Sequence, residues 1–229
     1  MLELKSLSPF AQGGNRLCFV HPEKSDVVVK VRRPDFTLED LRRKKGFPKN
    51  LKPLSSFDDN LEEFHVLSSF KKKYGEDIFK HVSHCYGFEE TDLGKGLCLE
   101  LIKDANSLIS LNIKQYLYEV GETDSFKKAF QEFCDFWCLK YPPSRSLLAH
   151  NILVQQDNNQ EVTRLVVVDG LGHSGLIPYQ LIPKWLKKNK AAKRIDSLKV
   201  SIQSYLDRKN NGESPSQVGI LFHRGNDIS

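Results

Sequence analysis

An amide and a carboxylate, each set at the end of an apolar strand, are the residues of this sequence best suited to chemistry. Asn151 directly precedes Ile152-Leu153-Val154, and Asp169 directly follows Val166-Val167-Val168 and is itself followed by Gly170. Both offer hard oxygen atoms, the ligands preferred by Mg2+, and a divalent ion held in this way can in turn hold phosphates. Upstream, Lys30 interrupts the apolar run Val27–Val31, where an ammonium must reach water or find a carboxylate. Glu63 is the candidate partner and Glu62 the alternative. Between the first strands lie Gly13 and Gly14, whose lack of side chains would let backbone N–H groups approach phosphates. None of these signals is specific alone, since Gly-Gly and Asp-Gly are common turns and a strand lysine can face solvent. Their joint order predicts phosphate chemistry in which Asn151 and Asp169 converge on one cation, across a cleft from Lys30.

The elements that must position these groups are readable from periodicity. Leu17–Val20 and Val27–Val31 are β-branched and aromatic runs joined by the polar bridge His21–Asp26, so residues 1–35 read as β structure. Residues 35–58 are polar and basic, with Gly46, Pro48 and Pro53, and read as an exposed insertion. A helix is expected over 59–73, where Leu61, Phe64, Leu67 and Phe70 recur at helical spacing behind a capping Asp58 or Asp59. Strands follow at 84–90 and 96–102 with a turn through Gly94-Lys95-Gly96. A second helix carries Phe126, Phe130, Phe133 and Trp137 on one face. The hairpin Ile152–Gln156 and Val162–Val168 turns at Asp157-Asn158-Asn159, and a basic helix with the stripe Ile195, Leu198, Ile202 and Leu206 ends the folded region. Strands, a helix, two strands, then helices around one hairpin make an α+β chain. The expected domains are 1–102 and 103–208, with 209–229 as a mobile tail.

Composition narrows the class. The 229 residues are 39% hydrophobic and 28% charged, enough for one large domain or two small lobes. No apolar run reaches the roughly 18 residues that a membrane helix needs, and the N-terminus lacks the pattern of a secretion signal. Five cysteines, odd in number and mostly in apolar stretches, fit buried thiols of a reducing compartment, so a cytoplasmic location is expected. The net charge of +5 permits an anionic ligand such as a nucleotide without demanding nucleic acid. Cys134 and Cys138 stand four apart on a helix but have no second pair nearby for a metal. The run Lys184, Lys187, Lys188, Lys190, Lys193 and Arg194 could meet nucleic acid or an anionic surface, and a solvated helix face is the favoured reading.

These residues resemble the protein-kinase signature set and, more narrowly, the bacterial YrbL family, PhoP-regulated proteins of kinase-like fold. The resemblance is carried by Ser8-Pro9, Cys18–Glu23, Val29-Lys30-Val31, Tyr86–Asp92, Asn151-Ile152-Leu153 and Asp169–Gly172, and spans roughly residues 1–206. It implies a bilobal kinase-like fold with a β-rich N-lobe and a reduced, mainly helical C-lobe. By the same resemblance Gly13 and Gly14 match the phosphate-covering loop, although its first glycine is here Ala11 and its last Arg16. Lys30 and Glu63 match the phosphate-binding lysine and its helix partner, Glu100 to Ile102 the adenine-binding hinge, and Asn151 and Asp169 the metal ligands. ATP and Mg2+ are the implied cofactors.

Departures from that pattern set the functional expectation. Ser146 stands where a kinase keeps its catalytic Asp, as in YrbL-type proteins, and a neutral hydroxyl cannot serve as the base. Leu148 stands where a lysine often follows, and Asp169-Gly170-Leu171 replaces Asp-Phe-Gly. The Asn151–Asp169 hairpin is longer than a tight kinase turn, so strand pairing must bring the ligands together. No activation segment or Ala-Pro-Glu motif follows Gly172. His150 is a weak candidate for a substitute base. The leading expectation is an ATP- and Mg2+-binding pseudokinase or regulatory module. Behind it stand a slow or atypical phosphotransferase or AMP-transferase acting on an unknown protein or small molecule, and then a basic nucleic-acid or anionic-surface binding protein.

Overall fold

β-Branched residues in alternation build the first part of the chain. In the computed structural model, which describes residues 1–51, 53–172 and 179–225, strands β1 (Ala11–Gln12), β2 (Arg16–His21) and β3 (Lys24–Arg32) form an antiparallel meander. The bridge expected between β2 and β3 contracts to Pro22-Glu23, because both strands run further than their apolar cores. Residues 35–58, expected as an exposed insertion, contain helix α1 (Leu38–Lys45). Thr37 and Asp40 cap it reciprocally, with Asp40 N–H on Thr37 Oγ1 at 3.2 Å and Thr37 N–H on Asp40 Oδ2 at 2.9 Å. The Thr37 hydroxyl, donating to Asp40 Oδ2 at 2.6 Å, and then the Thr37 N–H hold the Asp40 carboxyl below its usual pKa. Local capping thus organises a segment whose composition alone reads as loop. Helix α2 (Asp59–Tyr74) begins where Asp58 Oδ1 accepts from Asn60 N–H at 3.0 Å and Leu61 N–H at 3.2 Å.

Strands β4 (Cys85–Thr91) and β5 (Gly94–Glu100) complete a five-stranded sheet of order β1-β2-β3-β5-β4. Their turn falls at Asp92-Leu93, two residues earlier than expected, because Gly94 and Gly96 both sit within β5 and pair with Thr91 and Glu89. Gly96 is required there: a Cβ would lie 2.5 Å from Val29 Cγ1 and 3.2 Å from Val31 Cγ1. Leu2, Leu4, Phe19, Val27, Val29, Val31 and Cys98 form the apolar core on that side of the sheet. These elements, residues 1–73 and 84–101, make one compact unit together with Leu221–His223.

The second unit comprises residues 74–83, 102–220 and the segment from Arg224. It holds strand β6 (Leu111–Asn112), helix α3 (Ile113–Glu119), helix α4 (Asp124–Lys140), the hairpin β7 (Ile152–Gln156) and β8 (Val162–Val167), and helix α5 (Lys184–Asn210). Order β6-β7-β8 makes a second antiparallel sheet. Helix α4 starts at the Thr123 cap and buries Phe126, Phe133 and Trp137 as expected, leaving Phe130 half-buried. Helix α3 has no counterpart in the periodicity because Ile113 through Leu117 are buried on every side, Lys114 and Gln115 included. The basic run and the Ile195–Ile202 stripe belong to one helix, α5, which buries Ala191, Ile195, Leu198 and Ile202. The segment expected as a mobile tail makes specific hydrogen bonds in this unit as far as Arg224. The architecture is α+β, as the element order predicts.

Candidate functional site

Lys30 lies on β3 opposite Cys18 of β2 and Leu97 of β5, and Leu97 in turn faces Phe88 of β4. Directly opposed residues in an antiparallel sheet share a face, and this face is covered by α2. Phe64 of α2 packs on Phe88 with ring centroids 5.2 Å apart. Lys30 is 6% exposed and Glu63 4%, and Lys30 Nζ lies 2.9 Å from Glu63 Oε1. The expected partner is therefore the observed one. Arg16 Nη1 bonds the other carboxylate oxygen of Glu63 and also Asn60 Oδ1, while Asn60 Nδ2 donates to the Lys30 carbonyl at 2.8 Å. One carboxylate thus sits between two buried cations.

Asn60 escaped the sequence reading, and Arg16 entered it only as the position of a missing glycine. The α2 residues that are buried are Asn60, Glu63, Leu67 and Phe70, whereas Leu61 and Phe64 are half-buried. At the N-terminal end the buried stripe is shifted one residue from the apolar pattern. Polar Asn60 and Glu63, three apart at its N-terminal end, were the signal that could have revealed it.

Gly13 and Gly14 form the exposed β1–β2 turn, with Gly13 N–H on the Arg16 carbonyl at 2.9 Å. Neither glycine is demanded by the fold. A Cβ on Gly13 would meet its nearest neighbour at an ordinary 3.8 Å, and one on Gly14 would meet nothing within 4 Å. At the end of β5, the Glu100 amide donates to His84 O at 2.9 Å, and the His84 amide donates to Glu100 Oε2 at 3.1 Å. The Ile102 carbonyl accepts from Ser110 N–H at 3.0 Å.

In the second unit the pairing of β7 with β8 sets Ile152 opposite Val167. Val168 N–H then donates to the Asn151 carbonyl at 3.0 Å, so the segments bearing Asn151 and Asp169 leave the same end of the hairpin. Strand pairing thus does what the long hairpin requires. The preceding loop is tied to the segment after Asp169 by Arg145 N–H on Gly170 O at 2.7 Å and Gly172 N–H on Pro143 O at 2.9 Å. Gly170 has φ +82°, and a Cβ there would lie 2.8 Å from the Ser146 carbonyl, 3.5 Å from Asn151 Nδ2 and 3.7 Å from Ser146 Oγ. Gly170 is thus the contact point at which Ser146, Asn151 and the Asp169 turn meet, and it must be glycine. Asp169 Oδ1 accepts from Gly170 N–H at 2.6 Å.

One carboxylate and one amide are a small ligand set. Mg2+ is commonly held by one or two carboxylates, with phosphate oxygens and water completing its shell, and these donors fit that pattern. Among the described residues no cluster of three or more His, Cys, Asp or Glu side chains is placed to hold a metal.

His150, named as a substitute base, is half-buried beneath Gly219. Burial, and secondarily Lys114, lowers its pKa, against an opposing pull from Asp169. Lys114 is a buried cation that the sequence reading missed. It is 1% exposed, and its Nζ donates to Ser216 O at 2.6 Å, Ser216 Oγ at 3.2 Å and Val218 O at 2.5 Å.

The remaining candidates are ordinary. All five cysteines are free thiols, and burial pushes Cys134 up to about 12. In the basic helix Lys187 is engaged by Gln180 O at 3.1 Å and by the Tyr179 ring. The sequence after Gly172 that lacks an activation segment begins at residues 173–178, which lie outside the described residues. Among the described residues no helix is long and apolar enough to cross a membrane.

The chain as a whole is similar to known proteins. YrbL of Escherichia coli (strain K12) and YrbL of Shigella flexneri are each 23% identical over 190 residues, covering 81% of this chain and 80% of the relative. Among solved structures, Rad53 1-466 in complex with AMP-PNP aligns with 90% of this chain and 51% of its own, at 13% identity and a TM-score of 0.49. The bifunctional kinase-methyltransferase WbdD aligns with 89% of this chain and 44% of its own, at 13% identity and a TM-score of 0.40. The chain therefore spans about half the length of these solved structures. The family model described as PhoP regulatory network protein YrbL matches residues 2–203, from the N-terminal apolar segment through most of α5, and the chain belongs to that family.

Proposed function

We propose that the chain is a kinase-like protein that binds ATP with Mg2+ and works as a pseudokinase or regulatory module. Lys30, held by Glu63, contacts phosphate; Asn151 and Asp169 hold the ion; Gly13 and Gly14 leave open space in which a phosphate can approach the backbone; Glu100 and Ile102 receive the base. The observation that carries the reading is the Lys30–Glu63 pair, 2.9 Å apart with both side chains buried. A buried ion pair is a poor stability device, because desolvation rivals the attraction gained. Its presence calls for a function that needs an ammonium oriented in a dry site, and phosphate binding is such a function. Bound Mg2+ would supply charge neutralisation for the phosphates.

The regulatory assignment follows from Ser146. It lies beside Gly170, stands by resemblance where a kinase keeps its base, and lacks a carboxylate. A missing general base lowers the rate by roughly 10²–10⁴, which leaves binding intact while suppressing turnover. The five free thiols suit a reducing, cytoplasmic setting. The retained metal ligands next to a hydroxyl favour, as second reading, an atypical phosphotransferase or AMP-transferase with a protein or small-molecule acceptor.

Thermal unfolding with Mg-ATP tests the first reading. The expected result is a rise in Tm that is lost in Asp169→Ala and in Lys30→Met. No rise in the parent chain, or an equal rise in Asp169→Ala, would refute it. ATP labelled at the α or γ phosphate decides the second: transfer of either label, abolished by Asp169→Ala, identifies an enzyme and which group it moves.

A further inference from the structure

Lys114 is a buried ammonium whose partners among the described residues are all neutral oxygens: Ser216 O, Ser216 Oγ and Val218 O. Beside it Asn112, the cap of α3, turns its Nδ2 to Gly219 O at 2.8 Å and to Gln115 Oε1 at 2.6 Å. Ammonium and amide N–H groups therefore converge on one short stretch of C-terminal backbone. That stretch lies against the candidate metal loop, since Gly219 sits on His150, the residue before Asn151. Gly219 has φ +71°, and a Cβ there would come within 2.6 Å of His150 Cβ. Carbonyl oxygens satisfy the hydrogen bonds of a buried cation but leave its charge uncompensated. An oxyanion in the same place would make the same hydrogen bonds and supply the missing charge.

We infer that Lys114 and Asn112 form a binding position for a phosphate group beside His150 and Asn151, and that Ser216–Gly219 is an intramolecular plug occupying it. The phosphate would belong to an acceptor or regulatory ligand, and that assignment rests on the nucleotide reading above; the plug itself does not. Gly219 is the latch, because only glycine lets the segment lie on His150. Burial lowers the Lys114 pKa, in keeping with a cation that lacks a counter-charge.

The test uses the full chain, with limited proteolysis to report whether residues 211–225 are docked and inorganic phosphate as the probe, read by thermal unfolding. Gly219→Ala is expected to expose the segment to protease and to lower the apparent Kd for phosphate about tenfold, by releasing a self-occupied site. Adding Lys114→Met should abolish the phosphate response. Asp169→Ala should leave it in place, which separates this position from the nucleotide site: a parent chain that ignores Mg-ATP while Gly219→Ala binds phosphate would refute the nucleotide reading alone. The plug is overturned if the segment is released and phosphate affinity does not change. It is also overturned if the response survives Lys114→Met or vanishes with Asp169→Ala, or if the segment stays protected in both Gly219→Ala and the bulkier Gly219→Val.

Discussion

Among the described residues two lysines are buried, one in each compact unit, and they are held in opposite ways. Lys30 is 6% exposed and meets a carboxylate, Glu63, that a second cation, Arg16, also engages. Lys114 is 1% exposed and meets carbonyl and hydroxyl oxygens. The first arrangement is closed: both cations share one carboxylate, and all three groups come from the strands and helix that build the sheet. Removing Glu63 takes from both cations the carboxylate they share. The second is open: hydrogen bonds are satisfied by a short C-terminal segment outside any helix or strand, while the charge is left over. In the first an ammonium is held in place by a carboxylate, whereas in the second the oxygens that hold it belong to a segment that can exchange.

The sharpest way to break this comparison is Glu63→Ala. It leaves Lys30 and Arg16 buried without their carboxylate, and a loss of about 3–5 kcal/mol is expected, read as a lower urea midpoint with an unchanged m-value. A midpoint shift below about 1 kcal/mol would mean that Lys30 and Arg16 find water or another partner, and that the network is less closed than its geometry.

Lys114→Met should behave differently. The substitution removes an uncompensated buried ammonium, and the freed carbonyls belong to Ser216 and Val218, which are exposed. Net stability should stay within about 1 kcal/mol of the parent, while residues 211–225 become cleavable by protease. A large loss of global stability would make Lys114 a structural member of the fold.

The smallest effect concerns pH. Burial and the neighbouring Lys114 lower the His150 pKa from its ordinary 6.5, with Asp169 opposing them. The folded form therefore keeps His150 neutral where the unfolded chain takes up a proton. Stability from this residue is fully present above about pH 6.5 and falls as pH drops toward the lowered value. His81, lowered chiefly by burial, has the same sign. His150→Gln should flatten part of the decline in urea midpoint between pH 7 and pH 5. An unchanged pH profile would show that His150 protonates freely and that Gly219 does not seal it.

Legibility from sequence tracked how local the cause was. Helix α4 was readable because Phe126, Phe133 and Trp137 repeat on one face, and the β7–β8 hairpin because Asp157-Asn158-Asn159 breaks two β-branched runs. Helix α3 was not, since it is buried all round and periodicity needs a solvent side to contrast with. The capped helix α1 was hidden by a charged composition that resembles loop. At the candidate site, Lys30, Glu63, Asn151 and Asp169 could be named from type and order. Arg16 was set aside as a missing glycine, although its guanidinium bonds Glu63. Lys114 was passed over entirely, because its partners lie more than 100 residues away.

By itself the sequence determined which chemical groups this protein has and which strand ends carry them, since alternation, capping and turn residues act over a few positions. It also determined that Ser146 has no carboxylate to offer. Only the tertiary structure decided which carboxylate Lys30 meets, that Gly170 binds Ser146 and Asn151 into one loop cluster, and that the C-terminal segment lies on Lys114 and His150. Those outcomes depend on desolvation and on contacts between residues far apart in the chain, and neither is written in any local pattern.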